Sequence, residues 1–163
     1  MSIDTHKQND QPVTGRSDIV SRCSTLNLRR ASRAASHILD HYLAPIDLRA
    51  AQFGVLSAIS KLSATTMTKL ADYMVMDRTT LTRNLAVLER DGMVVTTPGA
   101  DKRVREIRLT DLGQARLAEA RPLWAEGENA IRQQLGTERW ELLLSLLVEV
   151  AALELPSGAK DGE

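Results

Sequence analysis

Aromatic residues and cysteine are scarce in this chain of 163 residues, and both absences limit what it can be. One Phe, two Tyr and two Trp cannot build a core of stacked rings, so the core must be aliphatic, mainly leucine and alanine. A single cysteine excludes an internal disulfide framework and is typical of a protein in a reducing compartment.

Long apolar runs and an excess charge of one sign are also missing. No stretch approaches the roughly 20 apolar residues that span a bilayer. Residues 1–15 are polar, which predicts no secretory leader, so we expect a cytoplasmic protein without a membrane partner. Twenty-one basic residues balance 21 acidic ones, and the 43% hydrophobic content fits one globular domain or two intimate subdomains.

Groups that would indicate catalysis are lacking as well. The sequence has no recognisable nucleophile–base pair, glycine-rich phosphate loop or cluster of metal ligands, so we expect neither an enzyme nor a cofactor or metal. His37 and His41 lie one helical turn apart, a spacing compatible with zinc. Without a third ligand in the pattern, a solvated helix face is favoured.

An informative pattern occupies residues 66–110. Leu81, Leu85 and Leu88 recur at helical spacing in a predicted helix that Gly92 ends as a left-handed cap. Its opposite face carries only small and basic side chains, which could lie against base edges in a major groove. Residues 66–74 predict a shorter helix before it, with residues 75–76 as the tight turn between the two.

A β-hairpin with a basic tip follows this second helix. Residues 93–97 are rich in β-formers, residues 104–109 alternate as a strand does, and residues 98–103 form a turn with two positive charges. Helix, turn, helix and basic hairpin together predict a winged helix-turn-helix. The predicted fold class is mainly α, with about six helices and a two-stranded β-wing.

Charge is distributed unevenly along the chain. Residues 78–108 hold seven basic and four acidic residues, whereas residues 109–163 hold five basic and ten acidic ones. This polarity favours double-stranded DNA as the partner, and a winged helix that binds protein is the alternative. The candidate DNA-binding residues are Thr79, Thr80, Thr82, Arg83, Asn84, Arg90, Lys102, Arg103 and Arg105.

The remaining segments divide the chain around this unit. We expect a disordered arm over residues 1–16, dimerisation and second-helix residues over 17–62, the DNA-binding domain over 63–110, dimerisation helices over 111–155 and a loose tail over 156–163. Ser17 and Asp47 are the expected caps of helices over 18–43 and 48–62. Thr110 caps the next helix, in which Pro122 predicts a kink or break before Gly136 ends it.

The last predicted helix, capped by Thr137, carries leucine on all sides. One small core offers too little cover for it, so a second copy of the chain should bury it. The candidate dimer residues are Leu26, Leu143, Leu146, Leu147 and Val150.

Three stretches, residues 48–56, 76–85 and 101–110, resemble the MarR family of bacterial transcription regulators. In the last stretch, Asp101-x-Arg103 precedes a strand that ends Leu109-Thr110, as in the wing motif of that family, and Gly113 continues it. The resemblance covers residues 18–153. It implies a homodimer in which the first, fifth and sixth helices of both chains interlock, and we interpret the chain as a repressor.

By this resemblance the two recognition helices enter successive major grooves of a pseudo-palindrome, and the wing arginine, Arg103, reaches a minor groove. Asp101 is predicted to orient Arg103 through a salt bridge. The alternative is that these two are unpaired surface charges.

Many members of this family bind aromatic acids or phenols in a crevice between the dimer helices and the winged helix. The resemblance therefore implies an effector of this class, with ordinary packing as the alternative for every candidate residue. The candidates are Asn27, Arg30, His37, His41, Arg49, Phe53 and Trp124.

Cys23 raises the alternative of a thiol-based redox sensor. A peroxide-sensing branch of the family carries a reactive cysteine early in the first helix, and a helix N-terminus with Arg22 nearby would stabilise a thiolate here. Counting back from Phe53, however, the cysteine of that branch falls nearer Thr25. Ala50 and Phe53 also stand where that branch has tyrosines, so a buried structural thiol is favoured.

Overall fold

The computed structural model describes residues 23–99 and 104–153. Its elements are α1 (Ser24–Leu43), a 3₁₀ turn (Ala44–Ile46), α2 (Ala50–Leu62), α3 (Met67–Met74), α4 (Arg78–Arg90), β1 (Val94–Pro98), β2 (Arg105–Leu109), α5 (Asp111–Leu135) and α6 (Thr137–Ala151). The predicted fold class, six helices with a two-stranded wing, is confirmed. None of the described helices is both long and apolar enough to cross a membrane.

The chain divides into two compact units, Met1–Ala34 and Ala35–Glu163. In the described part of the first unit, α1 begins at Ser24, six residues later than predicted. Cys23 lies outside the helix, and its Sγ accepts a hydrogen bond from the Leu26 amide at 3.4 Å, which is the geometry of an N-cap. Ser17, the predicted cap, lies outside the described residues.

In the second unit, α2 begins at Ala50, and the predicted cap Asp47 is wrong. Asp47 has a φ of 51° and ends the 3₁₀ turn instead. The Ala50 amide donates to Asp40 Oδ1 at 2.7 Å, and the Arg49 amide donates to Gln52 Oε1 at 2.8 Å. A carboxylate from α1 thus accepts the hydrogen bond of a first-turn amide of α2. The predicted acceptor was Asp47, a nearer residue in sequence.

The core of the second unit is aliphatic, as predicted. Leu81, Leu85 and Leu88 of α4 are all buried, which confirms the helical stripe. They pack in one cluster with side chains from the end of α1, the connection before α2, α2, α3 and β2, including Leu43, Leu48, Val55, Leu56, Ile59, Leu70 and Ile107. Burying one such side chain contributes about 1.5–3 kcal/mol, so this cluster holds the helix-turn-helix to α2.

The wing is an antiparallel hairpin in which Thr96 pairs with Ile107 and Pro98 pairs with Arg105. A third segment joins it at Thr65. The Thr65 amide donates to the Ile107 carbonyl at 3.2 Å, and the Ile107 amide donates to the Thr65 carbonyl at 2.7 Å. The loop between α2 and α3 is therefore hydrogen-bonded to the wing.

Thr110 caps α5 as predicted. Its Oγ1 accepts from the Gly113 amide at 3.0 Å and donates to the Gly92 carbonyl at 2.7 Å. Gly92 has a φ of 71°, the left-handed conformation predicted for the end of α4. One hydroxyl thus joins the end of the recognition helix to the start of α5.

Of the kink or break predicted at Pro122, the break is wrong, because α5 continues from Asp111 to Leu135, and the kink stays a prediction. Proline removes only the bond to the carbonyl of residue 118, and Ala118 is exposed, so water can hydrate that carbonyl. Gly136 ends α5 as predicted, with a φ of 83°.

The predicted cap of α6, Thr137, is also wrong. Gly136 occupies the N-cap position of α6, and no side chain makes a cap hydrogen bond there. The connection is a single residue, so the glycine that ends α5 also starts α6, and Thr137 is already helical. None of the residues of α6 is buried, and Leu143, Leu146, Leu147 and Val150 are 37–48% exposed.

Candidate nucleic-acid interface

The recognition helix α4 begins with a carboxylate cap. The Thr80 amide donates to Asp77 Oδ1 at 2.8 Å, and the Thr80 hydroxyl donates to Asp77 Oδ2 at 2.7 Å. The hydroxyl bond and then the amide bond lower the pKa of Asp77. The proton of the Thr80 hydroxyl is therefore engaged in the cap, so Thr80 can offer a ligand its methyl group and the acceptor lone pairs of its hydroxyl.

Thr82 has the same limitation on the next turn. Its hydroxyl donates to the Arg78 carbonyl at 2.7 Å, one turn back along the helix. The Asn84 amide nitrogen lies 3.9 Å from Met76 Sδ, a weak contact. Thr79 and Arg83 are exposed, and neither side chain forms a hydrogen bond or ion pair with another residue in the described ranges. These two side chains therefore keep all of their hydrogen-bond donors available for a ligand.

Arg90, near the end of α4, has an acidic neighbour. Its Nε donates to Asp91 Oδ1 at 2.9 Å. This hydrogen bond, with the attraction between the charges, raises the pKa of Arg90. Asp91 offsets much of the positive charge here, which weakens Arg90 relative to Arg83 as a partner for phosphate.

A chain of polar contacts, which we call the brace, connects α4 to the wing. The Thr96 hydroxyl donates to Glu89 Oε1, and Arg105 Nη2 donates to the Thr96 carbonyl at 3.1 Å. The same residues line a cavity of about 310 Å³ between α4 and the hairpin, together with Leu85 and Ile107. The brace links the recognition helix to both strands of the wing.

The other face of β2 carries Glu106 and Arg108, because side chains alternate along a strand. Arg108 Nη2 lies 2.7 Å from Glu106 Oε2, and the Arg108 side chain is 55% exposed. At the tip of the wing, the predicted DNA-binding residues Lys102 and Arg103 lie outside the described residues. Asp101 does too, and with it the predicted salt bridge.

The structure brings the predicted effector residues together in two groups. Phe53 stacks on Trp124, with ring centroids 5.4 Å apart and an interplanar angle of 21°. Trp124 also lines a cavity of about 420 Å³ between α5 and α6, beside Glu128 and Trp140. Burial raises the pKa of Glu128, which favours its neutral form in this apolar setting.

The second group comprises His37, His41 and Arg49, which line another cavity of about 420 Å³ with Asp40. Arg49 Nη1 lies 3.6 Å from Asp40 Oδ2, so its charge is partly compensated. The described ranges hold no group of three His, Cys, Asp or Glu side chains that could bind a metal ion. Asn27 and Arg30 are half-buried residues of α1 in the first unit.

Cys23 is exposed, so the expectation of a buried structural thiol is wrong. The reason is the later start of α1. The residue occupies the cap position ahead of the helix, and it has no place on the face that the sequence pattern assigned to the core.

Comparison with known proteins identifies this architecture. A model of the MarR family matches residues 46–103. The M. tuberculosis transcriptional regulator MOSR, solved in complex with DNA, is 37% identical and superposes with a TM-score of 0.65 over 80% of this chain and 99% of that one. The chain belongs to the MarR family.

Other members of the MarR family support this assignment. A mutant of E. coli MarR complexed with operator DNA is 28% identical, with a TM-score of 0.72 over 82% of this chain and 99% of that one. The transcriptional repressor CouR, bound to a 23-mer DNA duplex, is 31% identical, with a TM-score of 0.71 over 79% and 92%. CouR has also been solved bound to p-coumaroyl-CoA. Like these proteins, the chain is a transcriptional regulator with a DNA-binding winged helix.

The brace and the bridge between Thr65 and Ile107 were not predicted from the sequence. Glu89 was counted only as a charge, and Thr96 only as a β-former. Glu89 belongs to α4 and Thr96 to β1, and the periodicity of one element does not show which residues of another element it contacts. Only the position of Thr96, on the side of β1 that faces α4, could have indicated its contact with Glu89.

Proposed function

We propose that this MarR-family chain is a repressor that binds a pseudo-palindromic operator as a homodimer. The observation that carries the proposal is the face of α4 opposite Leu81, Leu85 and Leu88, where Arg83 is exposed and has no partner among the described residues. A guanidinium held on a rigid helix without an acidic neighbour suits bidentate recognition of guanine in a major groove. MOSR, E. coli MarR and CouR, each solved with DNA, support the same use of this fold.

The side chains have different roles in this proposal. Arg83 and Thr79 read base edges, whereas Thr80 and Thr82, whose hydroxyls bond within α4, contribute methyl groups that fit against thymine. Asn84 lies beside them. Phosphates are contacted by Arg90, Lys102 and Arg105, and Arg103, oriented by Asp101, reaches a phosphate or the minor groove.

Two substitutions separate base reading from phosphate attraction. Arg83→Ala should cost about 1–3 kcal/mol at the cognate operator and relax the sequence preference there. Arg103→Ala should weaken binding to all sequences and reduce the slope of log affinity against log salt by about one. Fluorescence anisotropy with operator and scrambled duplexes at several salt concentrations measures both effects.

Arg116→Ala is the matched control, because Arg116 is an α5 residue paired with Glu119 at 3.1 Å and lies outside this surface. It should leave DNA binding unchanged. If Arg83→Ala and Arg103→Ala both bound the operator like the wild type, this surface would not be the one that contacts DNA.

We propose that α6 is buried by a second copy of the chain, with Leu143, Leu146, Leu147 and Val150 in the interface and Leu26 nearby. Six leucine and valine side chains of α6 between residues 142 and 150 are 37–59% exposed, and Val148 is 71% exposed. A monomer rarely leaves so continuous an apolar surface in water. Two copies would also provide the two recognition helices that successive major grooves require, about 34 Å apart.

We propose an aromatic acid as the effector of this regulator. The Phe53–Trp124 stack provides an aromatic surface, and the cavity with His37, His41 and Arg49 provides donors for a carboxylate. That CouR has been solved with p-coumaroyl-CoA supports this class of ligand. Such a ligand shifts DNA binding only by the difference in its affinity for the two states, and a coupling of about 1–3 kcal/mol is sufficient for regulation.

A further inference from the structure

Two arginines of the winged helix are held in ion pairs with carboxylates close to them in sequence. Arg90 Nε lies 2.9 Å from Asp91 Oδ1 at the end of α4, and Arg108 Nη2 lies 2.7 Å from Glu106 Oε2 in β2. In the part of the winged helix that the structure describes, no other ion pair is present. The side chains of Arg90 and Arg108 are 73% and 55% exposed, so a DNA phosphate has access to both.

The fold does not depend on these two carboxylates. Other acidic residues of the winged helix have structural contacts, since Asp77 caps α4 and Glu89 accepts the threonine hydroxyl of the brace. The carboxylates of Asp91 and Glu106 bond only to their arginines among the residues that the structure describes. Exposed ion pairs contribute little to stability, because solvent screens the attraction and ordering two side chains costs entropy. The two pairs therefore affect the charge of the surface more than the stability of the fold.

Both pairs lie on the unit that contacts DNA in the proposed function. Arg90 is two helical turns after Arg83 and shares its open face of α4. Glu106 lies where the hairpin closes, because a Cβ added to Gly99 would stand 3.2 Å from its Oε1. Arg83 itself forms no ion pair with any residue in ranges 23–99 and 104–153. The surface thus combines one unpaired guanidinium with two paired ones.

Pairing lowers the contribution of an arginine to sequence-independent binding. Each cation that meets a phosphate releases counterions and adds about 0.9 to the slope of log affinity against log salt. A carboxylate at 2.7–2.9 Å offsets the charge that drives this release. On non-cognate DNA no base contact fixes the register, so an unpaired cation is free to find a phosphate. Extra unpaired charge therefore strengthens non-cognate binding at least as much as operator binding.

We propose that Asp91 and Glu106 are specificity-determining residues, which keep the binding of non-cognate DNA weak by pairing with Arg90 and Arg108. The proposal rests on the proposed function of the same surface. The base contacts of Arg83 do not depend on either carboxylate, so they distinguish the operator from other DNA against a low background of phosphate attraction.

The first test uses a duplex of random sequence, so it does not require the operator. Asp91→Asn and Glu106→Gln keep the shape of each side chain and remove its charge. Each variant should bind this duplex more tightly, by up to about 8-fold at about 0.1 M salt, and should steepen the slope of log affinity against log salt by about 0.9. Fluorescence anisotropy titrations at several salt concentrations measure both quantities.

Glu119→Gln is the matched control. It removes the same charge from the pair of Glu119 with Arg116, at 3.1 Å on α5, outside this surface, so affinity and slope should stay as in the wild type. Urea unfolding should show the same midpoint for all these variants. A carboxylate of the winged helix whose variant kept the wild-type affinity and slope would have no such role, and this result for both would overturn the proposal.

Double variants test whether each carboxylate acts through its arginine. Asp91→Asn should raise the affinity for the random duplex much less in an Arg90→Gln background than in the wild type. The same holds for Glu106→Gln in an Arg108→Gln background. An equal gain in both backgrounds would show that the carboxylate acts by its own charge alone, and it would refute the pairing.

The operator then separates this proposal from the proposed function. In both single variants the ratio of operator affinity to random-duplex affinity should fall. An unchanged ratio in variants that bind random DNA more tightly would refute the effect on specificity. A wild type that did not distinguish the two duplexes would refute the proposed reading of the operator instead, and the random-duplex titrations would still test whether the two pairs limit phosphate binding.

Discussion

Gly113 is the position where an added methyl group should most strongly disturb the packing of α5 against the wing. It lies buried in the first turn of α5. A Cβ built on it would stand 2.0 Å from the Met93 carbonyl oxygen and 2.9 Å from the carbonyl carbon. These are backbone atoms of the residue directly before β1, and they cannot rotate away as a side chain could. Gly113→Ala must therefore push the first turn of α5 off the wing.

The expected loss of stability is the difference between two opposing effects. Alanine is favoured over glycine in a helix by about 0.5–1 kcal/mol. Overpacking costs about 1–3 kcal/mol, and an unyielding backbone contact puts this site at the upper end of that range. We expect a net destabilisation of about 2 kcal/mol, which at an m-value of about 2 kcal/mol/M moves the urea midpoint down by about 1 M.

Gly54→Ala is the matched control for this experiment. Gly54 lies within α2, and its added Cβ would meet only Met74 Cε, at 3.9 Å. This variant gains the helix preference without a clash, so it should be stabilised by about 0.5–1 kcal/mol. Urea unfolding of all three proteins must use one protein concentration, because the stability of a dimer depends on it.

Both substitutions replace glycine by alanine, and their effects on the free energy of unfolding should have opposite signs. A Gly113→Ala variant as stable as the wild type, beside a stabilised Gly54→Ala, would refute the close approach of α5 to β1. Operator affinity should fall in Gly113→Ala as well, because the methyl group displaces Met93, the residue directly before β1.

Three further predictions concern the brace, the dimer and the effector. Thr96→Val keeps the shape of the side chain but removes its bond to Glu89, so it should weaken operator binding about 5- to 10-fold in anisotropy titrations with little change in the urea midpoint; Thr96→Ser should retain binding. Leu147→Asp should give a monomer in sedimentation, because it buries an unpaired charge in the proposed interface. Val148→Asp should remain dimeric. A wild-type monomer would contradict the proposed assembly. Salicylate should release the operator from both wild type and Cys23→Ser, whereas release by peroxide from the wild type alone would favour thiol sensing instead.

The brace gives the recognition helix and the wing a defined relation. Arg105 was predicted to contact DNA directly, but its guanidinium bonds to the Thr96 carbonyl on the side of the hairpin that faces α4. In this position it joins β2 to Thr96 of β1, and the hydroxyl of Thr96 makes the contact with Glu89 of the recognition helix. Any phosphate contact it makes must share the guanidinium with that bond, which its five N–H groups permit.

The elements of this fold that depend on neighbours in sequence were predictable. The stripe of Leu81, Leu85 and Leu88 follows from helical periodicity, and the structure buries all three. The Thr110 cap and the left-handed Gly92 follow from the chemistry of helix ends. The hairpin was predictable within one residue at each strand, because alternation and turn residues are also local.

The candidate site was predictable only in part, for the same reason. Helical spacing placed Thr79 and Arg83 on the exposed face of α4. It did not show that the hydroxyls of Thr80 and Thr82 would bond to residues at the start of the helix. The rotamer of each threonine decides whether its hydroxyl bonds to the protein or points towards a ligand. Phe53 and Trp124 lie on two different helices, so their stacking could not be predicted from spacing along the sequence.

Tertiary structure decided what joins one element to another. At the start of α2, the Ala50 amide bonds to Asp40, ten residues back and on another helix, so the local carboxylate of Asp47 was the wrong choice. The α2–α3 loop pairs with the wing at Ile107, more than 40 residues away. Local patterns specify helices, strands and turns because their hydrogen bonds close within a few residues. The contacts that set α4, the wing and α5 relative to one another exist only after the chain has folded.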